Sequence, residues 1–380
     1  MNIGIDVRCL MDKHYSGIPE YSFNLLTNLF ELDNKNQYLL FYNSQQPVEE
    51  NLPNFKQNNV KYIGFKYPNK LFNLSLRFLH YPKLDQLIKG IDLFFMPNFN
   101  FIALSSNCKK VITVHDISFD LYPQYYTLKR NLWHKLINPK KILADFDTII
   151  TDSTNTKNDL VEQYQFQPEK ISVIPLAIDH AIYKIIDKSN KKIAEVKEKY
   201  KLPAEFLFYL GTIEPRKNIT SIIESFNSLK KQKKHQNLSL VIAGVKGWKY
   251  ENVFQIAKNS PYKKQIHFID YIPREDKSYI YNLAQVLLFP SYYEGFGLPV
   301  LEAQACGLPV ICGLNSSLPE ITNGSALLVN PFNLTDSIRA VQTILNSPKL
   351  KQELVNKGLK NSQKYTWQNT AKQTLKLFTL

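Results

Sequence analysis

Apolar and polar positions alternate along this chain in blocks. Short runs of β-branched, aliphatic and aromatic residues are separated by longer stretches of helical period. In the first half the strand-like runs are Ile3–Val7, Tyr38–Tyr42, Val60–Ile63, Leu93–Met96, Val111–Val114, Thr148–Thr151 and Ile171–Ile174. Amphipathic helical stretches lie between them, among them Tyr21–Phe30, Thr127–Asn138 and Thr154–Tyr164. The last follows Asp152-Ser153, a natural N-cap. The second half repeats the theme with strands at Phe206–Leu210, Leu238–Ala243, Ile266–Ile269, Val286–Phe289, Val310–Cys312 and Leu327–Val329. Helices are expected over Leu334–Leu345, Pro348–Ser362 and Trp367–Phe378. Near-continuous apolar strands alternating with helices predict an α/β protein with parallel, doubly wound sheets.

The chain has 380 residues, which at roughly 150 residues per domain suggests two domains. The expected division is residues 1–180 and 181–365, with a final helix over about 366–380 packing back on the first domain. A lysine-rich stretch, Tyr183–Lys201, reads as linker and first exposed helix. Two such domains face to face would place a ligand cleft between the carboxyl ends of two sheets. No apolar run reaches the roughly 18 residues that suggest a spanning helix. The start carries no basic and apolar signal pattern, so a cytoplasmic protein is expected. Cys9, Cys108, Cys306 and Cys312 form no CxxC and read as reduced thiols.

The formal net charge is +14, which by itself suggests an anionic partner. Only six of the 47 cations are arginine, the residue suited to bidentate phosphate and guanine contacts. Residues 1–180 hold 19 cations and 18 anions, and residues 181–380 hold 28 and 15. A nucleic-acid partner is therefore not expected. Two segments of the nearly neutral first half are locally basic and aromatic. Lys56–Lys89 has seven cations and one acid, and Tyr125–Lys141 sets five cations around Leu128, Leu132, Trp133 and Leu136. This mixture fits equally a peripheral face toward an anionic membrane and a solvated helix face over core aromatics.

Four segments could carry chemistry. In Phe289–Ala303 a buried strand runs into a loop holding Glu294, Gly295, Phe296 and Gly297, then into a helix with Leu298 and Pro299 in its first turn and Glu302 beyond. Glycines let backbone approach a ligand, the helix start favours an anion, and carboxylates accept hydroxyls. In Tyr209–Asn218, Arg216 and Lys217 sit just before a helix start, where cations are unfavourable unless an anion binds. In Val111–Ile117, His115-Asp116 follows a buried strand. The loop Cys9–Glu20 contains Tyr15, Ser16 and Gly17 between the first strand and helix. Asp145-Phe146-Asp147 has DxD spacing but reads as a capping turn, since divalent-ion sites need more oxygen ligands.

The Glu294–Glu302 spacing resembles the E-x7-E motif of family 4 glycosyltransferases, retaining enzymes of GT-B fold. The resemblance covers nearly the whole chain. Gly211–Asn218 is similar to that family's diphosphate loop. Val245–Tyr250, Ser291–Glu302, Ala305–Val310, Ser317–Glu320 and His115-Asp116 resemble the bacterial mannosyltransferases of surface-polysaccharide assembly. The resemblance implies a nucleotide-sugar donor, with GDP-mannose the best choice over UDP-, dTDP- or ADP-sugars. It implies a lipid-linked glycan acceptor, retention, and work at the inner membrane face. It implies that Glu294 contacts the donor sugar and Glu302 the ribose. Arg216 and Lys217 would hold the diphosphate with the N–H groups of Gly297–Pro299. The base would lie near Ile272, His115 would contact the sugar, and Gly17 would lie near diphosphate and acceptor. No metal or cofactor is implied if two cations suffice. Thr212 stands where many relatives have arginine, so Arg216 carries more of the charge. A GT-B epimerase or phosphorylase and a basic membrane- or nucleic-acid-binding protein are the competing classes.

Overall fold

A computed structural model describes residues 1–12 and 17–379. The chain divides into two compact units. The first comprises Met1–Ile117, Lys129–Leu176 and Trp367–Leu380; the second comprises Ser118–Leu128 and Ala177–Thr366.

The first unit holds a seven-stranded parallel sheet: β1 (Asn2–Asp6), β2 (Gln37–Asn43), β3 (Val60–Phe65), β4 (Leu93–Met96), β5 (Lys109–Val114), β6 (Thr148–Thr151) and β7 (Ile171–Val173). Its order is β3-β2-β1-β4-β5-β6-β7. Ile3 pairs with Tyr38 on one side and Leu93 on the other. The second unit holds β8 (Phe206–Leu210), β9 (Ser239–Ala243), β10 (Ile266–Ile269), β11 (Val286–Phe289), β12 (Val310–Gly313) and β13 (Leu327–Val329). Its order is β10-β9-β8-β11-β12-β13, again parallel. The strands begin and end within two residues of the positions expected from hydropathy. That agreement has a simple cause: with helices on both faces, strands such as β8, β9 and β11 are buried at every position, so they appear as unbroken apolar runs.

Each sheet changes direction of winding once, between β1 and β4 and between β8 and β11. Ligands of open parallel sheets bind outside the strand ends at such switch points. Several helix starts are capped by a short polar side chain. Ser153 Oγ accepts the Thr156 N–H at 3.1 Å, and Asn333 Oδ1 accepts that of Thr335 at 3.0 Å.

The helix Trp367–Thr379 lies in the first unit against the helix Ile18–Leu32. Trp367 meets Tyr21 with ring centroids 6.2 Å apart, and Phe378 meets Phe95 at 5.3 Å. The segment Ser118–Leu128, which follows His115-Asp116 in the chain, packs within the second unit. There Trp248 Nε1–H donates to the Tyr125 carbonyl at 2.7 Å, and Tyr126 stacks on the Trp248 ring at 5.4 Å. Hydropathy gave no sign of this transfer, because it depends on contacts more than a hundred residues apart.

Candidate active site

The loops after β8 and β11 meet beyond the switch point of the second sheet. The Tyr292 N–H donates to the Arg216 carbonyl at 2.9 Å. Asn218 Nδ2 donates to the Pro290 and Pro331 carbonyls at 3.1 and 2.8 Å. These bonds bring Glu294 against both cations. Lys217 Nζ lies 2.7 and 2.8 Å from the two Glu294 carboxylate oxygens, and Arg216 NH1 lies 3.1 Å from Oε2. The other Arg216 terminal nitrogen pairs with Glu214 at 2.8 Å. Burial alone would raise the Glu294 pKa; the charge of Lys217, then of Arg216, outweighs it and holds the group below the ordinary glutamate value. The carboxylate is thus ionised and fills the space between the two cations.

The Glu294 backbone is held as well. Its N–H donates to Ser316 Oγ at 3.0 Å, and the Ser317 hydroxyl donates to the Glu294 carbonyl at 2.9 Å. Gly297 then ends the loop at φ +117, and a Cβ there would come within 2.8 Å of Leu318. Only glycine serves that position without strain. The helix Leu298–Ala305 starts immediately after it with Pro299 in its first turn. Gly295 and Phe296 are buried, while Leu298 and Pro299 are half-exposed at the helix start.

Glu302 lies buried one turn into that helix. Its Oε2 accepts the Tyr281 O–H at 2.7 Å, and Oε1 lies 3.8 Å from Lys277 Nζ. Burial, and secondarily the Glu302 charge, push the Tyr281 hydroxyl far above its ordinary range, so it stays a donor. Ile272 is buried just before the helix Arg274–Leu283.

In the first unit His115 follows β5. Its Nδ1 lies 2.6 Å from Asp152 Oδ2, and its Nε2 lies 3.0 Å from the Pro97 carbonyl. Pro97 and Asp152 follow β4 and β6, so three adjacent strand ends are tied together. Both ring nitrogens face acceptors, which favours the doubly protonated ring. Burial pulls the His115 pKa down, but the Asp152 carboxylate outweighs it and the net direction is up. Gly17 caps the helix Ile18–Leu32 at φ +56. Tyr15 and Ser16 of that loop lie outside the described residues.

Sequence reasoning found the residues of the second-sheet cluster but not their supports, Glu214, Tyr281, Lys277, Ser316 and Ser317. It also missed Asp152, although a polar residue directly after a buried strand is the signal that marked His115. Asp145 closes the helix Pro139–Ala144, and the Asp147 carboxylate accepts the Lys110 N–H at 2.7 Å. Among the described residues no group of three His, Cys, Asp or Glu side chains is arranged to hold a metal ion. Cys108, Cys306 and Cys312 are buried, Cys9 is partly so, and all four are free thiols.

Known proteins show the same architecture. The model of the family "Glycosyltransferase Family 4" matches residues 17–182, and that of "Glycosyl transferases group 1" matches residues 190–361. The chain is 27% identical over 377 residues to the O-antigen chain mannosyltransferase B of Escherichia coli, covering 96% of each chain. It is 29% identical over 272 residues to the serotype-specific mannosyltransferase WbdA of Escherichia coli, covering 71% of this chain and 33% of that protein. Among solved structures, the sucrose-phosphate synthase of Thermosynechococcus elongatus matches with a TM-score of 0.77 at 20% identity, covering 100% of this chain and 98% of that one. WaaG, a glycosyltransferase involved in lipopolysaccharide biosynthesis, matches with a TM-score of 0.72 at 16% identity and 98% coverage of both chains. At such identities the structures establish the fold, which is GT-B. With a Glycosyltransferase Family 4 domain over residues 17–182 and a Glycosyl transferases group 1 domain over residues 190–361, the chain is a glycosyltransferase.

Proposed function

We propose that the chain transfers mannose from GDP-mannose to a lipid-linked glycan, with retention of anomeric configuration, in the assembly of a surface polysaccharide such as O-antigen. The observation that carries this reading is the contact of Glu294 with Arg216 and Lys217 at the β8/β11 switch point. Mannose is supported by the names of the related mannosyltransferases.

In this reading Arg216 and Lys217 exchange Glu294 for the donor diphosphate, and the helix start at Gly297–Pro299 faces the same anion. Glu294, released, accepts hydroxyls of the donor sugar. Glu302 keeps its Tyr281 bond on Oε2 and offers Oε1 to the ribose. Ile272 contributes to the base pocket. The acceptor oxygen then bonds to the anomeric carbon on the face the diphosphate leaves. The carbon–oxygen bond to the diphosphate breaks with its electron pair, and a diphosphate oxygen takes the acceptor proton. The products are the lengthened glycan and GDP. Arg216 and Lys217 act by stabilising charge that grows on the leaving group, the largest single term in many enzymes. No metal is assigned a part.

Among the described residues no helix is long and apolar enough to cross a membrane. We assign a cytoplasmic enzyme that touches the inner membrane face through the basic, apolar surface of its first unit. The test is a thermal-shift series with GDP, UDP, dTDP and ADP, followed by turnover of the matching sugar donors. GDP is expected to give the largest shift and GDP-mannose to be consumed; a clear preference for another nucleotide overturns the donor, and consumption of no donor overturns the reading.

A further inference from the structure

The parts of the two basic, aromatic segments that lie in the first unit meet in space. The helix Asn69–Leu74 and the turn Ser75–Leu79 lie beside the helix Leu128–Ile137, joined by the Arg77 Nε–H bond to the Leu136 carbonyl at 2.7 Å. The surface they share is unusual for a water-facing one. Leu79 is 74% exposed, Leu132 69%, Leu71 66% and Phe78 59%. Large apolar side chains exposed on two joined elements mark an interaction face.

Under this rim lies a cavity of about 310 Å³, at the small end of ligand sites. Its lining includes Arg77, His80, Lys83, Lys110 and Lys141, with Asp145 the one acid. None of the four Lys and Arg residues makes an ion pair among the described residues. Leu76, Ile137 and Phe146 supply apolar wall. Uncompensated cations in a partly apolar hollow favour a bound anion. The exposed aliphatic rim favours hydrocarbon over the bases of a nucleic acid or the polar rim of a protein partner. One ligand satisfies both requirements, a phosphate carrying acyl chains.

The cavity is not the sugar-transfer site. Lys110 is the second residue of β5 and His115 follows the strand's end, five residues on, which is about 16 Å along an extended strand. We propose that this cavity binds the phosphodiester headgroup of an anionic phospholipid while Leu71, Phe78, Leu79 and Leu132 enter the acyl region. The proposal rests on the membrane contact assigned above and gives it a specific lipid site. A surface cation near an anionic membrane contributes on the order of 1 kcal/mol, about fivefold in binding, and one facing a headgroup contributes at least that.

The experiment is flotation of the full chain with vesicles of equal phosphatidylglycerol and phosphatidylcholine, against phosphatidylcholine alone. The wild type is expected to float only with the first. Lys83→Gln with Lys141→Gln should lose roughly 30-fold or more, whereas Lys191→Gln with Lys197→Gln, the same charge change on an exposed helix of the second unit, should lose less than about twofold. Ser106→Trp, which fills the exposed edge of the cavity without altering charge, should lose at least about tenfold. Melting temperatures of all variants confirm folding. Equal losses for the two lysine pairs, or wild-type flotation of Ser106→Trp, would overturn the headgroup site while leaving membrane contact standing. Failure of the wild type to float would overturn both, and donor turnover, read separately, is unaffected by either result. A thermal shift with inorganic phosphate that Lys83→Gln/Lys141→Gln abolishes, without flotation, would assign the cavity to a soluble anion and overturn the lipid.

Discussion

At the carboxyl ends of the second sheet, two cations and two carboxylates interlock within a few residues of three backbone turns. At the same ends of the first sheet, the described charges include the buried Arg8–Asp6 pair at the end of β1 and the His115–Asp152 pair beside the Pro97 carbonyl. Both stand at or beside a switch point, so topology alone does not separate them. The difference lies in how each balances its charge. Arg216 and Lys217 are neutralised by the carboxylates of Glu214 and Glu294, and in the proposed function the donor diphosphate replaces Glu294. His115 is locked between Asp152 and Pro97 with both nitrogens used, so the pair is built to hold three strand ends in place. In the proposed reading the second region binds the donor and the first chiefly holds strand ends in place.

The largest expected effect would test the exchange. Lys217→Ala should lower donor turnover by about 100- to 1000-fold, roughly 3–4 kcal/mol of transition-state stabilisation. Glu294→Gln should go in two directions at once, weakening turnover by a similar factor while tightening GDP by at least about tenfold, since the cations no longer need to shed a carboxylate. If calorimetry finds GDP binding weakened instead, Glu294 is not a placeholder and the two regions are alike.

The His–Asp pair should show its character in stability. Asp152→Ala should cost about 3 kcal/mol at pH 6 in denaturant melts. The His115 pKa is raised in the folded state, so the stabilisation is full below the unfolded value near 6.5 and is lost as pH rises through the folded value. The deficit of the variant should therefore shrink in alkaline buffer. A deficit independent of pH between 6 and 9 would show that the ring is not charged. Glu294 behaves oppositely: its pKa is lowered, so its contribution holds above about pH 4.5 and is lost as pH falls through the folded value.

Gly244→Ala comes next. Gly244 has φ +139 and a Cβ would sit 2.0 Å from the Gly211 carbonyl oxygen, so a loss of about 1–3 kcal/mol in melting is expected from backbone strain alone. The smallest effect is Trp248→Phe, which removes the bond to the Tyr125 carbonyl and should cost about 1 kcal/mol. Stability unchanged in that variant would mean that Ser118–Leu128 is held by stacking rather than by the hydrogen bond.

Much of the site was readable because its chemistry is local. Glu294, Gly297 and Pro299 fall in one loop and helix start, and Arg216 with Lys217 in another, so spacing and turn requirements name them. Their supports were not readable. Glu214 pairs with Arg216 two residues away and looked like an ordinary loop acid. Tyr281 reaches Glu302 from a different helix, and Asp152 reaches His115 from the next strand. The cavity beneath Arg77 and Lys141 is the strongest case, since the sequence showed two basic, aromatic segments and could not decide between a solvated face and a membrane face. The helix at Asn69–Leu74 also went unread, because a short element with large exposed side chains lacks the one-sided pattern that announces a helix.

By itself the sequence determined the two parallel sheets, because a strand covered by helices on both faces must be apolar throughout and a run of that kind has little else it can become. It also determined the glycine turns and the paired charges near them, because backbone freedom and charge are properties of single residues. Only the tertiary structure decided that Glu294 rests between Arg216 and Lys217, that Asp152 holds His115, that Ser118–Leu128 joins the second unit, and that separated lysines line one hollow. Each of those depends on distances between residues far apart in the chain, and those distances come from how the sheets order their strands.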